Sequence, residues 1–239
     1  MALHLVASFA RLDPQSPPAC ALFLDQSKAY DRVDWHWLSV VLSHLGCPTF
    51  EVHWLFDLLA SSSISVLVDG VASSPFSPSK GLPQSCPLSP ILYALSLQPL
   101  LSAFDCLLPS FSLPGLRISH LAFADDISLI LTSREDFQTV SSLFSSYSSL
   151  SGASLNSSKT DILWLGPSSS PRFPIPFDSS FNWRQAHVVL PGGEVRYLGV
   201  RFSRLGAFPT PSFWSSWFSS LESSCSRWSS LHLSSLGHI

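Results

Sequence analysis

Charge is scarce in this 239-residue chain. Asp, Glu, Lys and Arg make up 12% of it, about half the usual share of a globular domain. With 13 Lys+Arg against 16 Asp+Glu, a net charge of -3 and only three lysines, it lacks the basic footprint of a nucleic-acid binder, which counts against polymers of phosphate as partners. Paired cysteines are also absent. Cys20, Cys47, Cys86, Cys106 and Cys225 form no C-x-x-C pair and no even set, so neither a zinc site nor a disulfide framework is indicated and a reducing intracellular setting fits. No uninterrupted apolar run approaches ~18 residues, and the start "MALHLVASFARLDP" lacks the basic and full apolar regions of a signal peptide, which predicts a soluble chain with no membrane partner.

What remains is apolar and hydroxyl-rich, with 46% hydrophobic residues and 50 serines. That is ample for a core. "CALFLD", Cys20 to Asp25, follows the breaker-rich "DPQSPP" and predicts a buried strand ending in an acid. Helical spacing of Leu38, Val41, Leu42 and Leu45, stopped by Gly46 and Pro48, predicts one helix. A second, capped at Thr49, is predicted to bury Trp54, Leu55, Leu58 and Leu59. "SISVLVDGVASSPF" predicts a hairpin turning at Asp69-Gly70, and "LSPILYALSLQPLL" a helix capped by Ser89 and kinked or ended by Pro99.

Farther on, "LRISHLAF" and "ISLILT" predict two strands meeting at Asp125-Asp126. A helix then buries Phe137, Val140, Phe144 and Tyr147 between a Ser133 cap and Gly152. The Ser- and Pro-rich stretch from Gly166 to about Asn182 predicts a loop, "AHVVLPGGEVRYLGVRF" a hairpin around Pro191 to Gly193, and the tail from Pro209 a helix. Interleaved strands and helices around an antiparallel hairpin predict an α+β layer, with helices on one face of a small sheet.

The acids carry the chemistry. An Asp-Asp pair is ordinarily a solvated turn, yet Asp125 and Asp126 lie between two apolar strands, where neighbouring carboxylates resist joint ionisation unless a cation neutralises them. Asp25 ends another apolar strand, and if those strands are neighbours the three acids converge. Hard oxygen ligands without His or Cys select Mg²⁺ over zinc, and paired Mg²⁺ ions are the usual apparatus of nucleotidyl transfer.

Five segments now add a specific likeness. "LFLDQSKAYDRVDW", "GLPQSCPLSPILYALSLQPL", "HLAFADDISLIL", "SGASLNSSKTDIL" and "VRYLGV" follow one another in this order. In order and rough spacing they resemble consecutive motifs of the reverse transcriptases of non-LTR (LINE-type) retrotransposons, with group II intron enzymes close by. The resemblance implies a polymerase palm, an α+β fold with a small antiparallel sheet packed on helices. It also implies RNA-directed DNA polymerase activity with Mg²⁺ (two ions, Mn²⁺ as a substitute), an RNA template, a DNA primer and dNTPs. A nuclear or cytoplasmic location follows only from the family.

By the same resemblance Asp25, Asp125 and Asp126 are catalytic metal ligands, and Lys159 is a proton donor to the leaving pyrophosphate. Tyr30 lies beneath the incoming sugar, Gln84 and Phe123 belong to the nucleotide site, and Arg196 to Val200 resembles the strand that grips the primer end. Ordinary packing is the competing reading for Tyr30, and a surface cation for Lys159. Residues 1–205 are expected to form the palm with partial fingers, and 206–239 the truncated start of a helical thumb. Ser85 stands where the family has glycine, and few residues precede Asp25. Both features favour the alternative of a catalytically silent remnant that at most binds nucleic acid or protein. An unrelated α+β module with acidic turns is the third reading.

Overall fold

Cys20–Leu24 (β1) is buried at all five positions, which explains why the strand is apolar throughout instead of alternating. It is the third strand of a five-stranded sheet of order β6-β7-β1-β8-β9. The computed structural model describes residues 19–84, 86–113, 116–165, 174–175, 183–189, 193–197 and 200–203, with residues 219 and 222–223 near the C-terminus. The predicted loop, apart from residues 174–175, the predicted C-terminal helix, Ser85 and nearly all of 206–239 lie outside the described residues.

Antiparallel partners flank β1, with Asp126–Leu131 (β7) on one side and Asp161–Trp164 (β8) on the other. His120–Phe123 (β6) pairs with β7 at one edge. At the other edge His187–Val189 (β9) runs parallel to β8. The turn of the expected hairpin, Pro191 and Gly192, lies outside the described residues. Glu194–Tyr197 (β10) pairs with Val200–Ser203 (β11). Small ribbons complete the strands: Leu67–Val68 (β2) with Val71–Ala72 (β3), and Phe111–Leu113 (β4) with Leu116–Ile118 (β5). The β2–β3 turn is Asp69-Gly70 as predicted, both at positive φ, the geometry that suits a two-residue hairpin loop.

Helices cover one face of the sheet. After the short Ala29–Arg32 (α1) come Trp35–His44 (α2), Thr49–Ala60 (α3), Ser89–Leu107 (α4) and Arg134–Ser151 (α5). Leu22 and Leu24 of β1 and Ile127 and Leu129 of β7 share one core with Leu38, Leu97, Phe104 and Phe137. The opposite face carries Ala21, Phe23, Ile130 and Leu163, covered in part by Val195 and Tyr197 of β10.

α5 is built as predicted, with a reciprocal capping box between Ser133 and Asp136, Gly152 at φ 75°, and Phe137, Val140, Phe144 and Tyr147 buried. Other details differ. Thr49 and Ser89 are the first helical residues, not caps. α3 buries Val52 and Leu59 and exposes Trp54 and Leu58, because apolar residues surround this helix and periodicity cannot single out one stripe. α4 continues past Pro99 to Leu107, held by buried Leu92, Leu97, Leu100 and Phe104; tertiary packing outweighs the lost hydrogen bond. Among the described residues α4 is long and apolar enough to cross a membrane by length and composition, although here one side of it fills the core.

Candidate active site

β1 meets β7 with Leu24 opposite Ile127, and one further step of that register sets Asp25 beside Asp126. On its other side Asp126 pairs with Phe123 of β6. Since side chains alternate along strands, Asp25 and Asp126 point to the face of Phe23 and Ile130, away from the helices. Asp125 is the second residue of the two-residue turn joining β6 to β7. The first, Ala124, has φ 52°, a left-handed conformation that costs a residue with a Cβ about 1 kcal/mol or more.

Asp25 is fixed by the segment after α5. Its backbone oxygen accepts from the Asn156 N–H at 2.8 Å, and the Ser27 N–H donates to Ser154 O at 2.8 Å. Partial burial raises the Asp25 carboxyl above its ordinary range, as do the charges of Asp125 and Asp161, while Lys159 and Asn156 pull it down. Asp126 is raised by burial first and then by Asp125 and Asp25. The three acids thus share one electrostatic environment, and Lys159, at the end of a 3₁₀ turn over Ser157–Lys159, is its nearby cation.

Tyr30 belongs to the same group. Burial and then the Asp125 charge raise its phenol, and its ring stacks on Tyr93 of α4 with centroids 4.6 Å apart at 19°. The segment carrying Gln84 is anchored just upstream: Gly81 N–H donates to Val33 O at 2.8 Å, Leu82 N–H to Tyr30 O at 2.9 Å, and Trp35 Nε1 to Gly81 O at 2.8 Å. A Cβ on Gly81 would stand 2.8 Å from Asp31 O, so glycine is required there. Gln84 itself is exposed and makes no hydrogen bond to the acids. Phe123 is 66% exposed at the edge of the turn.

Three contributors were not singled out in the sequence. Asn156 lies inside a motif quoted for its lysine. Gln26 donates from Nε2 to Asp125 O at 3.3 Å. Tyr197 donates from its hydroxyl to Asp126 O at 3.4 Å and packs on Phe23 with centroids 5.2 Å apart. The Gln26 bond spans 99 residues and Tyr197 comes from a separate ribbon, so tertiary packing makes both contacts.

The donor set fits a divalent cation. It consists of carboxylate oxygens, with the Asp125 charge raising the proton affinity of both Asp25 and Asp126 and no soft ligand beside them among the described residues. Among the described residues no three His, Cys, Asp or Glu side chains are gathered tightly enough to coordinate one ion as they stand.

Residues 4–202 match the family model described as "Reverse transcriptase (RNA-dependent DNA polymerase)". The chain belongs to the reverse transcriptase family. This reverse transcriptase chain is 30% identical over 184 residues to a Xenopus laevis protein named "Transposon TX1 uncharacterized 149 kDa protein", covering 76% of the chain and 14% of that protein. It is 28% identical over 190 residues to the Drosophila melanogaster "Retrovirus-related Pol polyprotein from type-2 retrotransposable element R2DM", covering 77% and 17%. The likeness to a LINE-type reverse transcriptase is thereby shown, and the chain spans a minor part of these relatives. Among solved structures it resembles the apo telomerase of Candida tropicalis truncated from its C-terminal domain, with a TM-score of 0.56 at 15% identity, covering 86% of this chain and 38% of the other. That likeness shows the palm-type α+β fold.

Proposed function

We propose that this chain is the palm of an RNA-directed DNA polymerase, extending a DNA primer on an RNA template with dNTPs. The observation that carries the reading is that Asp25 and Asp126 lie side by side on adjacent strands, with Asp125 in the adjoining turn acting on both carboxyls. The family match over 4–202 supports it.

In this reading Asp25, Asp125 and Asp126 hold paired Mg²⁺, with Mn²⁺ as a substitute. The ions would supply activation of the primer 3′-hydroxyl and neutralisation of the pyrophosphate. The 3′-hydroxyl would give its proton to solvent as its oxygen bonds to the α-phosphorus, the bond to pyrophosphate would break, and Lys159 would give the leaving oxygen a proton. Tyr30, braced by Tyr93, lies beneath the sugar and excludes a 2′-hydroxyl. Gln84 and Phe123, both exposed, meet template and nucleotide, and Arg196 to Val200 bears on the primer end. The low Lys and Arg content predicts weak, salt-sensitive template binding by this chain alone. The setting is intracellular, nuclear or cytoplasmic.

Primer extension tests the assignment. The purified chain with Mg²⁺, dNTPs and a primed RNA template is expected to extend the primer, and Asp125→Ala to abolish extension. Absence of extension on every template, RNA or DNA, would refute polymerase activity for this chain and leave a silent retrotransposon remnant.

A further inference from the structure

One polar side chain interrupts the helix-facing layer directly behind the acids. Gln26 follows Asp25, so strand alternation sends its side chain to the opposite face, where it is 6% exposed. A buried amide is unfavourable there unless its atoms are paired. Its Nε2 donates to the backbone oxygen of Asp125, 99 residues away in sequence. Its Oε1 has no partner, and neither does the buried hydroxyl of Tyr93. Gln26 and Tyr93 line one small space with Ser96, Tyr147 and Ser151, too tight for a water molecule. Burial pushes the Tyr93 phenol upward and Gln26 offsets part of that push. The orphaned acceptor and the orphaned donor are therefore neighbours and chemically matched.

The other end of this contact is the least self-sufficient part of the site. The β6–β7 turn has two residues, of which Ala124 is exposed and held at φ 52°. Its conformation needs an external tie, since a strained residue persists only where its surroundings over-determine it. Tyr93, beneath Gln26, also stacks on Tyr30, so one buried ring backs two parts of the site.

We infer that Gln26 is the positioning residue for Asp125: it ties the turn to β1 and, through Tyr93, to α4, and so sets where the Asp125 carboxylate stands relative to Asp25 and Asp126. This role rests on the metal-binding reading above. Gln26 touches no reacting atom in it. Loss of the tie lets the turn move and weakens cation binding while the fold remains.

Binding of Mn²⁺, followed by water-proton relaxation without nucleotide or template, provides a readout separate from activity. Gln26→Met keeps side-chain volume and removes both amide groups. It is expected to bind Mn²⁺ about fivefold more weakly, the order of one lost hydrogen bond, with an unchanged circular dichroism spectrum. Hydrogen exchange of the peptide spanning residues 120–131 is expected to quicken. Tyr93→Phe, which keeps the ring and the stack on Tyr30, serves as the second variant should Gln26→Met not fold, and is expected to weaken binding in the same direction by a smaller factor. Wild-type Mn²⁺ affinity in a folded Gln26 or Tyr93 variant, beside lost affinity in Asp125→Asn, would overturn the positioning role alone. No Mn²⁺ binding by the unmodified chain would overturn the metal reading and this role together.

Discussion

Asp25 and Asp126 lie side by side on adjacent antiparallel strands, one register step beyond the Leu24–Ile127 pair, and each raises the other's hold on its proton or shares a neighbour that does. An arrangement that places like charges together at the edge of a core lowers stability to serve a ligand.

Neutralising one acid is therefore expected to stabilise the chain. Asp126→Asn should raise Tm by about 2 °C without metal at pH 7. Mg²⁺ should raise the Tm of the unmodified chain and leave the variant almost unmoved. Differential scanning fluorimetry with and without Mg²⁺ reads both effects, and a variant melting below the parent would contradict the argument.

The pH dependence has a definite sign. The Asp25 and Asp126 carboxyls are raised in the fold, so between their ordinary value and the raised one the folded state binds more protons than the unfolded. Stability then falls as pH rises through that window, and this contribution is fully present only below it. Metal binding runs the opposite way, because the cation competes with those protons and gains affinity as pH rises through the raised values. Mn²⁺ titrations across the acid range should place the half-point above the usual carboxylate range; a half-point at the ordinary value would refute the shift.

Glycine is required where two segments close on α1. A Cβ on Gly81, at φ 83°, would meet Asp31 O at 2.8 Å, and one on Gly152, at φ 75°, would meet Arg32 O at 2.7 Å. Gly81→Ala and Gly152→Ala should each destabilise by about 1–3 kcal/mol in urea unfolding. Because Leu82 N–H bonds Tyr30 O, Gly81→Ala should also weaken nucleotide binding, whereas Gly152→Ala acts on stability.

α5 offers two changes of different size. Phe137, fully buried and edge-on to Trp183 with centroids 5.2 Å apart, should cost about 3–5 kcal/mol as Phe137→Ala. Ser133→Ala, which removes the N-cap of the same helix, should cost about 1 kcal/mol. Chemical denaturation of both variants checks the ranking, and equal losses would show that packing on Trp183 matters less than the geometry implies.

Much of the site was legible because its motifs are local. Asp25 at the end of an apolar strand, Asp125-Asp126 between two more, and the cap and stop of α5 each require only neighbours in sequence. The charge balance pointed away from nucleic acid, whereas the match over 4–202 is to an RNA-dependent DNA polymerase family; net charge averages over a chain, and a site is a few placed groups. The buried stripe of α3 escaped for another reason, since apolar residues surround that helix.

By itself the sequence determined which residues are acids, which strands are apolar enough to be buried, and where α5 starts and stops, because capping, turn chemistry and burial on both faces of a strand act over a few residues. The tertiary structure alone decided that β1 lies between β7 and β8, that Asp25 and Asp126 share a face, and that Gln26 reaches back to Asp125. Those outcomes depend on register between segments about 100 residues apart, and pairing at that distance is chosen by how whole faces pack, a quantity no short stretch of sequence contains.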